Sequence, residues 1–184
     1  MNVHIYYHIA LVGDNARIVN NTLGKIISSK LYEYSNSLNC LMYKNVTEFE
    51  YPTLNKLYEH AINEDAYFLY IHTKGAANPC QFSDDWRNYM EYFTIENWQK
   101  CVDMLEKFDS VGVNFQYEPY KHYSGNYWWS KSSYLKTLEK PKKTSNRFEH
   151  EAWIASGNIN PCSLHNSNIN HYYQPYPKSK YEVT

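Results

Sequence analysis

The segment Ala66-Tyr-Phe-Leu-Tyr-Ile-His-Thr-Lys-Gly75 decides the fold of this chain. Its first six residues are apolar or aromatic on both alternating faces, which predicts a strand covered on both sides in an α/β sheet. The strand then ends in two hydrogen-bonding side chains, a cation and a flexible glycine: His72, Thr73, Lys74 and Gly75. Ligands of open α/β sheets bind at the carboxyl ends of strands, so the segment predicts a site for an anion, most simply a phosphate. The alternative interpretation is a solvated turn that contains a lysine.

The residues before this segment alternate between strand and helix patterns. Val3 to Val12 and Cys40 to Tyr43 are rich in β-branched, aromatic and other apolar residues, which predicts two strands. Helical spacing of apolar residues follows Asp14, and a second helix is expected to begin at Pro52. This β-α-β-α-β order predicts an α/β fold with a mainly parallel, mixed sheet, right-handed crossovers and flanking helices.

The second half of the chain has weaker patterns, with no internal repeat and no linker, so a single domain is expected. A long helix is expected from Asp84 to about Phe108, with Thr94 capping its second half. The remaining expectations are a strand at Val111–Phe115, an aromatic segment at His122–Trp129, a short helix ending at Leu138, a helix at Phe148–Ala155, and an irregular tail from residue 157.

Composition excludes several classes of protein. The 184 residues carry a net charge of -1, which argues against an electrostatically driven binder of nucleic acid or membrane surfaces. No apolar run is long enough to span a bilayer and the amino terminus lacks a secretion signal, so a cytoplasmic protein is expected. The four cysteines form no Cys-x-x-Cys pair, which argues against a zinc site. The 20 tyrosines and 5 tryptophans suit core packing and also the stacking of sugar rings.

Two groups of candidate residues lie at the ends of the first and third predicted strands. Asp14 could bind a ribose hydroxyl or a base edge, or it could simply cap the following helix. In the His72–Gly75 group, Lys74 could pair with a phosphate and stabilise a departing diphosphate. A lysine in this place favours activation of the diphosphate leaving group without a metal, although His72 could instead serve as a metal ligand.

Two further groups come from polar residues within predicted helices. Asp84 and Asp85 could cap a helix, whereas Asp85 could instead bind a metal or act as a base, and Arg87 could clamp a phosphate. Arg147 and Glu151 are one helical turn apart and could form a salt bridge. Glu149 faces elsewhere on that helix.

The carboxyl-terminal half offers two further candidate groups, one of carboxylates and one of aromatic rings. If Glu151 or Glu149 is buried in an aromatic cleft, its pKa would be raised and it could act as a base near neutral pH. The segment from His122 to Trp129 offers Gly125 for close backbone approach, the amide of Asn126, and two indole rings. Adjacent strand residues face opposite ways, so one of Trp128 and Trp129 is expected in the core and the other in the cleft. Core packing of both rings is the alternative.

Together these segments resemble small glycosyltransferases of the GT-A type, found in large DNA viruses, phages and bacterial polysaccharide clusters. The resemblance rests on four segments and extends to about Ile154: Tyr70–Gly75, Asp85–Arg87 with Met90, His122–Trp129, and Arg147 with Glu151–Ile154. It implies a nucleotide-sugar half (1–115), an acceptor and catalytic half (116–155) and an irregular tail (156–184). The Asp-x-Asp with which many such enzymes bind Mn²⁺ or Mg²⁺ is not found, which leaves metal dependence open.

The resemblance implies transfer of a sugar from a nucleotide-diphosphate sugar to a glycan hydroxyl, by an inverting displacement in the cytoplasm (the host cytoplasm if viral). Glu151 is the first choice for the base and Asp85 the second, with Lys74 and Arg87 on the diphosphate. The substrate would be positioned by His72, Asn126 and one of the two tryptophans. Further substrate contacts are expected at His122, Gly125 and Glu149, and further donor contacts at Asp14, Thr73 and Gly75. A carbohydrate-binding protein without catalysis, a nucleotide-binding regulatory domain and, less favoured, a glycoside hydrolase are the alternatives.

Overall fold

A six-stranded mixed sheet with helices on both faces forms the centre of the protein. The structure is a computed structural model and describes residues 1–44 and 46–182. Its first half contains β1 (Asn2–Ala10), α1 (Asn15–Ser28), α2 (Leu31–Tyr34), β2 (Ser37–Tyr43), α3 (Tyr51–Ala61), β3 (Ala66–His72) and α4 (Gln81–Glu91). Its second half contains α5 (Trp98–Met104), β4 (Ser110–Gly112), β5 (Phe115–Gln116), β6 (His122–Tyr123), β7 (Trp128–Lys131), α6 (Ser132–Leu135), α7 (Arg147–Ala152) and β8 (Pro161–Ser163).

The strand order is β2-β1-β3-β7-β4-β8, and only β7 runs antiparallel to its neighbours. The expected mixed, mainly parallel α/β sheet is therefore confirmed. From β1 the chain crosses to β2 on one side and returns to β3 on the other. This reversal creates a topological switch point between the carboxyl ends of β1 and β3, which are level because His8 pairs with His72.

The two faces of the sheet bury separate hydrophobic clusters. On β3, Leu69 and Ile71 pack on the side of α1, α4 and α5, whereas Phe68 and Tyr70 pack on the side of α3 and α6. Successive strand residues point to opposite faces, so a strand buried on both sides must be apolar throughout. Burial of this kind contributes roughly 1.5–3 kcal/mol per large apolar side chain.

The two adjacent tryptophans of β7 both lie in the core. Trp129 packs in the cluster beside α4 and α5, and its Nε1 donates to the Thr94 carbonyl at 2.8 Å. Trp128 packs in the other cluster, stacked on Tyr70 with ring centroids 5.1 Å apart. The expected opposite orientation is confirmed, but the expected placement of one ring in the cleft is wrong because the sheet is covered on both faces at β7.

The expected long helix is interrupted. Residues Tyr92–Glu96 form a π-helical turn between α4 and α5. Thr94 lies inside this turn and donates from Oγ1 to the Met90 carbonyl at 2.8 Å, so it does not cap the second half. Wider turns of this kind leave some carbonyls without a partner in the helix, and the Thr94 carbonyl accepts the Trp129 indole N–H instead.

Two other expectations are corrected in the second half of the chain. The strand expected at Val111–Phe115 is split between β4 and β5, because Asn114 has a positive φ of 50° and turns the chain. The expected irregular tail includes β8, which pairs with β4 in the main sheet. The last two residues of that tail, 183 and 184, lie outside the described residues. Over the described part of the chain, no helix has the length and apolarity needed to span a bilayer.

Candidate functional site

A cavity of about 540 Å³ opens at the switch point between β1 and β3. This volume falls within the roughly 300–1,000 Å³ typical of small-molecule sites. Its floor and walls combine ionisable groups with apolar rings, including His8, Glu50, His72, Lys74, Trp86 and Glu151. The structure therefore brings the end of β3 together with residues from α4, α7 and the segment before α3.

Lys74 is a cation without an ion pair among the described residues. Its Nζ lies 4.0 Å from the centroid of the Trp86 ring and 5.7 Å from that of Tyr172. Burial lowers the pKa of Lys74, and the negative charges of Glu151 and Glu50 oppose that effect. An unpaired cation held over an aromatic face is available to an anionic ligand.

Arg87 holds the backbone of Lys74 in place by a hydrogen bond. The buried Arg87 guanidinium donates to the Lys74 carbonyl at 2.9 Å and to Asp84 at 2.6 Å. Gly75 has a φ of +86°, and a Cβ there would come 2.7 Å from Ser83 Oγ. Thr73 accepts the Ala10 N–H at 3.0 Å. Arg87 does not line the cavity, so the structure gives it a positioning role rather than the expected clamp on phosphate.

Glu50 is a cavity carboxylate that the sequence analysis did not identify. Its side chain is 13% exposed, and burial together with the negative charge of Glu151 raises its pKa to about 7. Oε1 lies 3.5 Å from His72 Nδ1, and Oε2 accepts from Asn126 Nδ2 at 3.3 Å. Its place directly before Tyr51-Pro52 suggested only a helix start, so no local signal marked it as functional.

His72 is held as a neutral ring against Glu50. Its Nε2 donates to the Gly125 carbonyl at 2.9 Å, which leaves Nδ1 as an acceptor facing Glu50. Burial and the nearby charge of Lys74 lower the pKa of His72 to about 3. A protonated Glu50 carboxyl and a neutral His72 are therefore compatible neighbours at neutral pH.

The segment Gly125–Asn126 supports this pair from behind the cavity. Gly125 has a φ of +91°, and a Cβ there would clash with Met90 and come 3.0 Å from Trp86 Nε1. Asn126 also has a positive φ, and its Oδ1 accepts from Trp128 Nε1 at 3.0 Å. Neither residue lines the cavity, so their expected contact with substrate is replaced by support of Glu50 and His72.

Glu151 and Arg147 form the wall contributed by α7. Arg147 Nε lies 3.8 Å from Glu151 Oε1, which is the expected pairing one turn apart. Glu151 Oε2 accepts from the Tyr120 hydroxyl at 3.4 Å, and both charged residues line the cavity. The wall therefore carries a carboxylate facing the same space as Lys74.

Two further cavity residues come from β1 and β2. His8 and Tyr43 stack with ring centroids 5.1 Å apart, and His8 Nδ1 lies 2.9 Å from Thr53 Oγ1. Burial lowers the pKa of His8 to about 4, so this ring is neutral near pH 7. The sequence analysis missed both residues because they lie inside predicted strands, where aromatic rings are expected to pack in the core.

Two of the predicted acidic site residues do not line the cavity. Asp85 is buried and accepts from Gln81 Nε2 at 2.5 Å and from the Tyr176 backbone N–H at 3.0 Å. Both of its oxygens are thus used to hold the carboxyl-terminal segment, which does not support a role as base or metal ligand. Asp14 occupies the cap position of α1 without a side-chain cap bond and pairs with Arg17.

Two other predicted residues also lie outside the cavity. His122 Nδ1 donates to the Tyr120 carbonyl at 2.8 Å. Glu149 is exposed on α7 and accepts from Asn146 Nδ2 at 3.3 Å. The structure therefore gives both residues local partners instead of the expected contact with substrate.

The cavity residues do not fit a dedicated divalent-metal site. The Lys74 cation lines the cavity and would repel a divalent cation, and Glu50 has the raised pKa of a carboxyl that holds a proton. Within the described residues, the one cluster of three close histidine or carboxylate ligands lies elsewhere, at His4, His60 and Glu64.

Comparison with known proteins identifies one family. No curated protein and no solved structure matches the chain. The family model described as "Domain of unknown function (DUF8361)" matches residues 8–150, most of the chain. The matched span includes Glu50, His72 and Lys74 and ends one residue before Glu151. The chain therefore belongs to the DUF8361 family.

Proposed function

We propose that the protein is a glycosyltransferase with a GT-A-like fold that moves a sugar from a nucleotide-diphosphate sugar to a glycan hydroxyl. The observation that carries this proposal is Lys74, a partly buried cation that forms no ion pair with any described residue and lines a ligand-sized cavity. A second support is the position of the cavity at the switch point, where α/β sheets bind their ligands.

The donor would lie across the carboxyl ends of β1 and β3. Lys74 would contact its diphosphate, while the apolar and aromatic walls would cover the nucleoside. As the bond between the sugar and the diphosphate breaks, its electron pair goes to the departing phosphate oxygen. A fixed cation stabilises this developing negative charge, because it is already oriented and little water competes with it.

The acceptor hydroxyl would be deprotonated by Glu151, with inversion at the anomeric carbon. The proton moves to the carboxylate as the acceptor oxygen bonds to an oxocarbenium-like carbon. Glu50, with its pKa of about 7, is partly neutral at physiological pH and so leaves the charge of Lys74 available for phosphate. We place the reaction in the cytoplasm, because the four cysteines are free thiols, the state that a reducing compartment maintains.

A second candidate is a carbohydrate-binding protein that lacks catalysis. The rings of Tyr172 and Tyr173 are 56% and 77% exposed, and Tyr172 lines the cavity. Exposed aromatic faces of this kind suit stacking on sugar rings. This function predicts glycan binding without affinity for a nucleotide sugar.

Calorimetric titration with UDP, GDP and their sugar conjugates, each with and without Mn²⁺, tests the proposal. We expect one nucleotide sugar to bind without Mn²⁺, with Lys74→Met weakening that binding by about 10-fold or more, since a charged hydrogen bond contributes roughly 1.5–3 kcal/mol. Lys100→Met, which removes an exposed lysine from α5, is the matched control.

The same variants separate the two candidate functions. Equal binding by Lys74→Met and the wild type would contradict the role of Lys74. Binding of glycans alone would favour the second candidate. If a donor binds, Glu151→Gln should lower turnover while leaving donor affinity within a few-fold of the wild type.

A further inference from the structure

A second cluster of ionisable side chains lies at the opposite edge of the sheet from the cavity. His4 is near the start of β1, and roughly 20 Å of strand separates it from Ala10 at the cavity. His60 is in the last turn of α3, and Glu64 follows four residues later. The cluster therefore joins the first strand to the end of a helix that packs on the sheet.

The three side chains converge with the geometry of metal ligands. His4 Nε2 lies 3.1 Å from Glu64 Oε1, and His60 Nε2 lies 2.7 Å from Glu64 Oε2. One ligand atom from each residue lies within 4.8 Å of the other two. Zinc bonds of 2.0–2.1 Å in a tetrahedral site place ligand atoms roughly 3.3 Å apart, so only small side-chain movements are needed.

Each side chain also has an outer partner that fixes its orientation. His4 Nδ1 lies 2.8 Å from Ser37 Oγ, and His60 Nδ1 lies 3.0 Å from the Tyr6 hydroxyl. Asn2 donates from its side-chain amide to Glu64. Outer contacts to the second ring nitrogen and to the carboxylate are typical of metal sites.

The hydroxyl partners allow the histidines to change tautomer. Without a metal, each Nε2 donates to Glu64, and each Nδ1 accepts from a hydroxyl. With a metal, each Nε2 lone pair binds the ion and each Nδ1 donates, because a hydroxyl can accept as well as donate. Metal binding therefore breaks no outer hydrogen bond of the cluster.

The cluster is open on one side. The side chain of His4 is 7% exposed, whereas those of His60 and Glu64 are 27% and 31% exposed. An ion can therefore enter from solvent, and one coordination position remains for water.

We propose that His4 Nε2, His60 Nε2 and the Glu64 carboxylate form a zinc site that braces β1 against the end of α3. The two imidazoles are borderline nitrogen ligands, and with one carboxylate they suit Zn²⁺ better than Mg²⁺ or Ca²⁺, which prefer sites made of oxygen ligands alone. The site does not depend on the proposed glycosyl transfer. The search for a Cys-x-x-Cys pair could not find this site, because its ligands come from β1, α3 and the loop after α3 and include no cysteine.

Zinc binding by the full chain, measured by competition with a chromophoric indicator, tests the site. We expect one Zn²⁺ per chain in the wild type and a higher melting temperature when Zn²⁺ is bound. Tyr6→Phe should weaken binding by about 10- to 100-fold, the usual effect of losing an outer partner. His60→Ala and Glu64→Gln, which remove ligands, should weaken it further.

The matched control is Glu59→Gln, which removes an exposed carboxylate of α3 that pairs with Lys140 instead. It should bind Zn²⁺ as the wild type does. Circular dichroism identifies any variant that fails to fold, and X-ray absorption of the wild type should show only nitrogen and oxygen ligands. Unchanged affinity in folded Glu64→Gln and Tyr6→Phe, sulfur ligation, or no binding by the wild type would each overturn the proposal.

Discussion

Replacing Glu50 with glutamine should make the protein more stable at alkaline pH. Glutamine has the shape of a protonated glutamate, so it can keep the contacts to Asn126 and His72 without carrying a charge. Burial raises the pKa of Glu50 from 4.5 to about 7, which corresponds to about 3 kcal/mol, since each pKa unit is worth about 1.4 kcal/mol. This is an upper estimate, because local rearrangement reduces the cost of a buried charge.

The folded and unfolded states lose the Glu50 proton at different pH values, and this difference makes the stability of the protein depend on pH. The unfolded chain releases the Glu50 proton near pH 4.5, whereas the folded protein retains it until about pH 7. Between these values the folded state binds more protons, so the free energy of unfolding falls as pH rises. Relative to Glu50→Gln, the wild type should be less stable by about 1 kcal/mol at pH 5 and about 3 kcal/mol at pH 8.5.

Urea denaturation at pH values from 5 to 8.5 measures this difference. Subtracting the two proteins at each pH removes the contributions of shared groups, such as His8 and His72, whose pKa values are lowered to about 4 and about 3. Glu106→Gln, which removes an exposed carboxylate, measures the general effect of losing one charge. A difference that does not change with pH, or a variant less stable than the wild type at pH 8.5, would refute the assignment of Glu50 as a destabilised buried acid.

Three other predictions concern stability and can be checked by urea or thermal denaturation. Gly125→Ala should cost several kcal/mol, because it combines a φ of +91° with a clash against Met90, whereas Gly24→Ala has open space and should stabilise α1 by about 0.5–1 kcal/mol. Glu91→Ala should cost about 3–5 kcal/mol, because Glu91 is fully buried and its removal takes a carboxylate away from the buried Arg87 guanidinium, whose Nε lies 4.0 Å from Glu91 Oε1. Trp129→Ala should cost about 3–5 kcal/mol, and a loss below 1 kcal/mol would contradict its place in the core.

The sheet could be predicted because its signals are local. Apolar residues on both faces of Ala66–Ile71 predict a strand covered on both sides, and the alternation before it implies parallel crossovers. The break at Asn114 and the π-helical turn at Tyr92–Glu96 could not be predicted in the same way. Both depend on contacts with distant residues, such as the indole of Trp129 that bonds to the turn.

The candidate site was only partly predictable. Lys74 and His72 were identified from their place at a strand end, and Glu151 from its place on a helix beside Arg147. The sequence analysis gave Glu50 no role and gave Asp85 and Arg87 roles that the structure does not support. The role of a carboxylate or guanidinium depends on the groups that contact it in the folded protein. Asp85 is bound by the Tyr176 backbone, 91 residues away along the chain, and no local pattern contains that contact.

The sequence by itself determined that this chain forms a mixed α/β sheet and that Lys74 follows a strand at the edge where α/β sheets in general bind ligands. Periodicity and strand ends are properties of neighbouring residues, so they can be recognised without the fold. Only the tertiary structure decided that Glu50 and Glu151 share a cavity with Lys74, and that His4, His60 and Glu64 converge at the opposite edge. Burial and electrostatic environment arise when distant segments meet, and they set the pKa values and the hydrogen-bond partners on which the proposed chemistry of both sites depends.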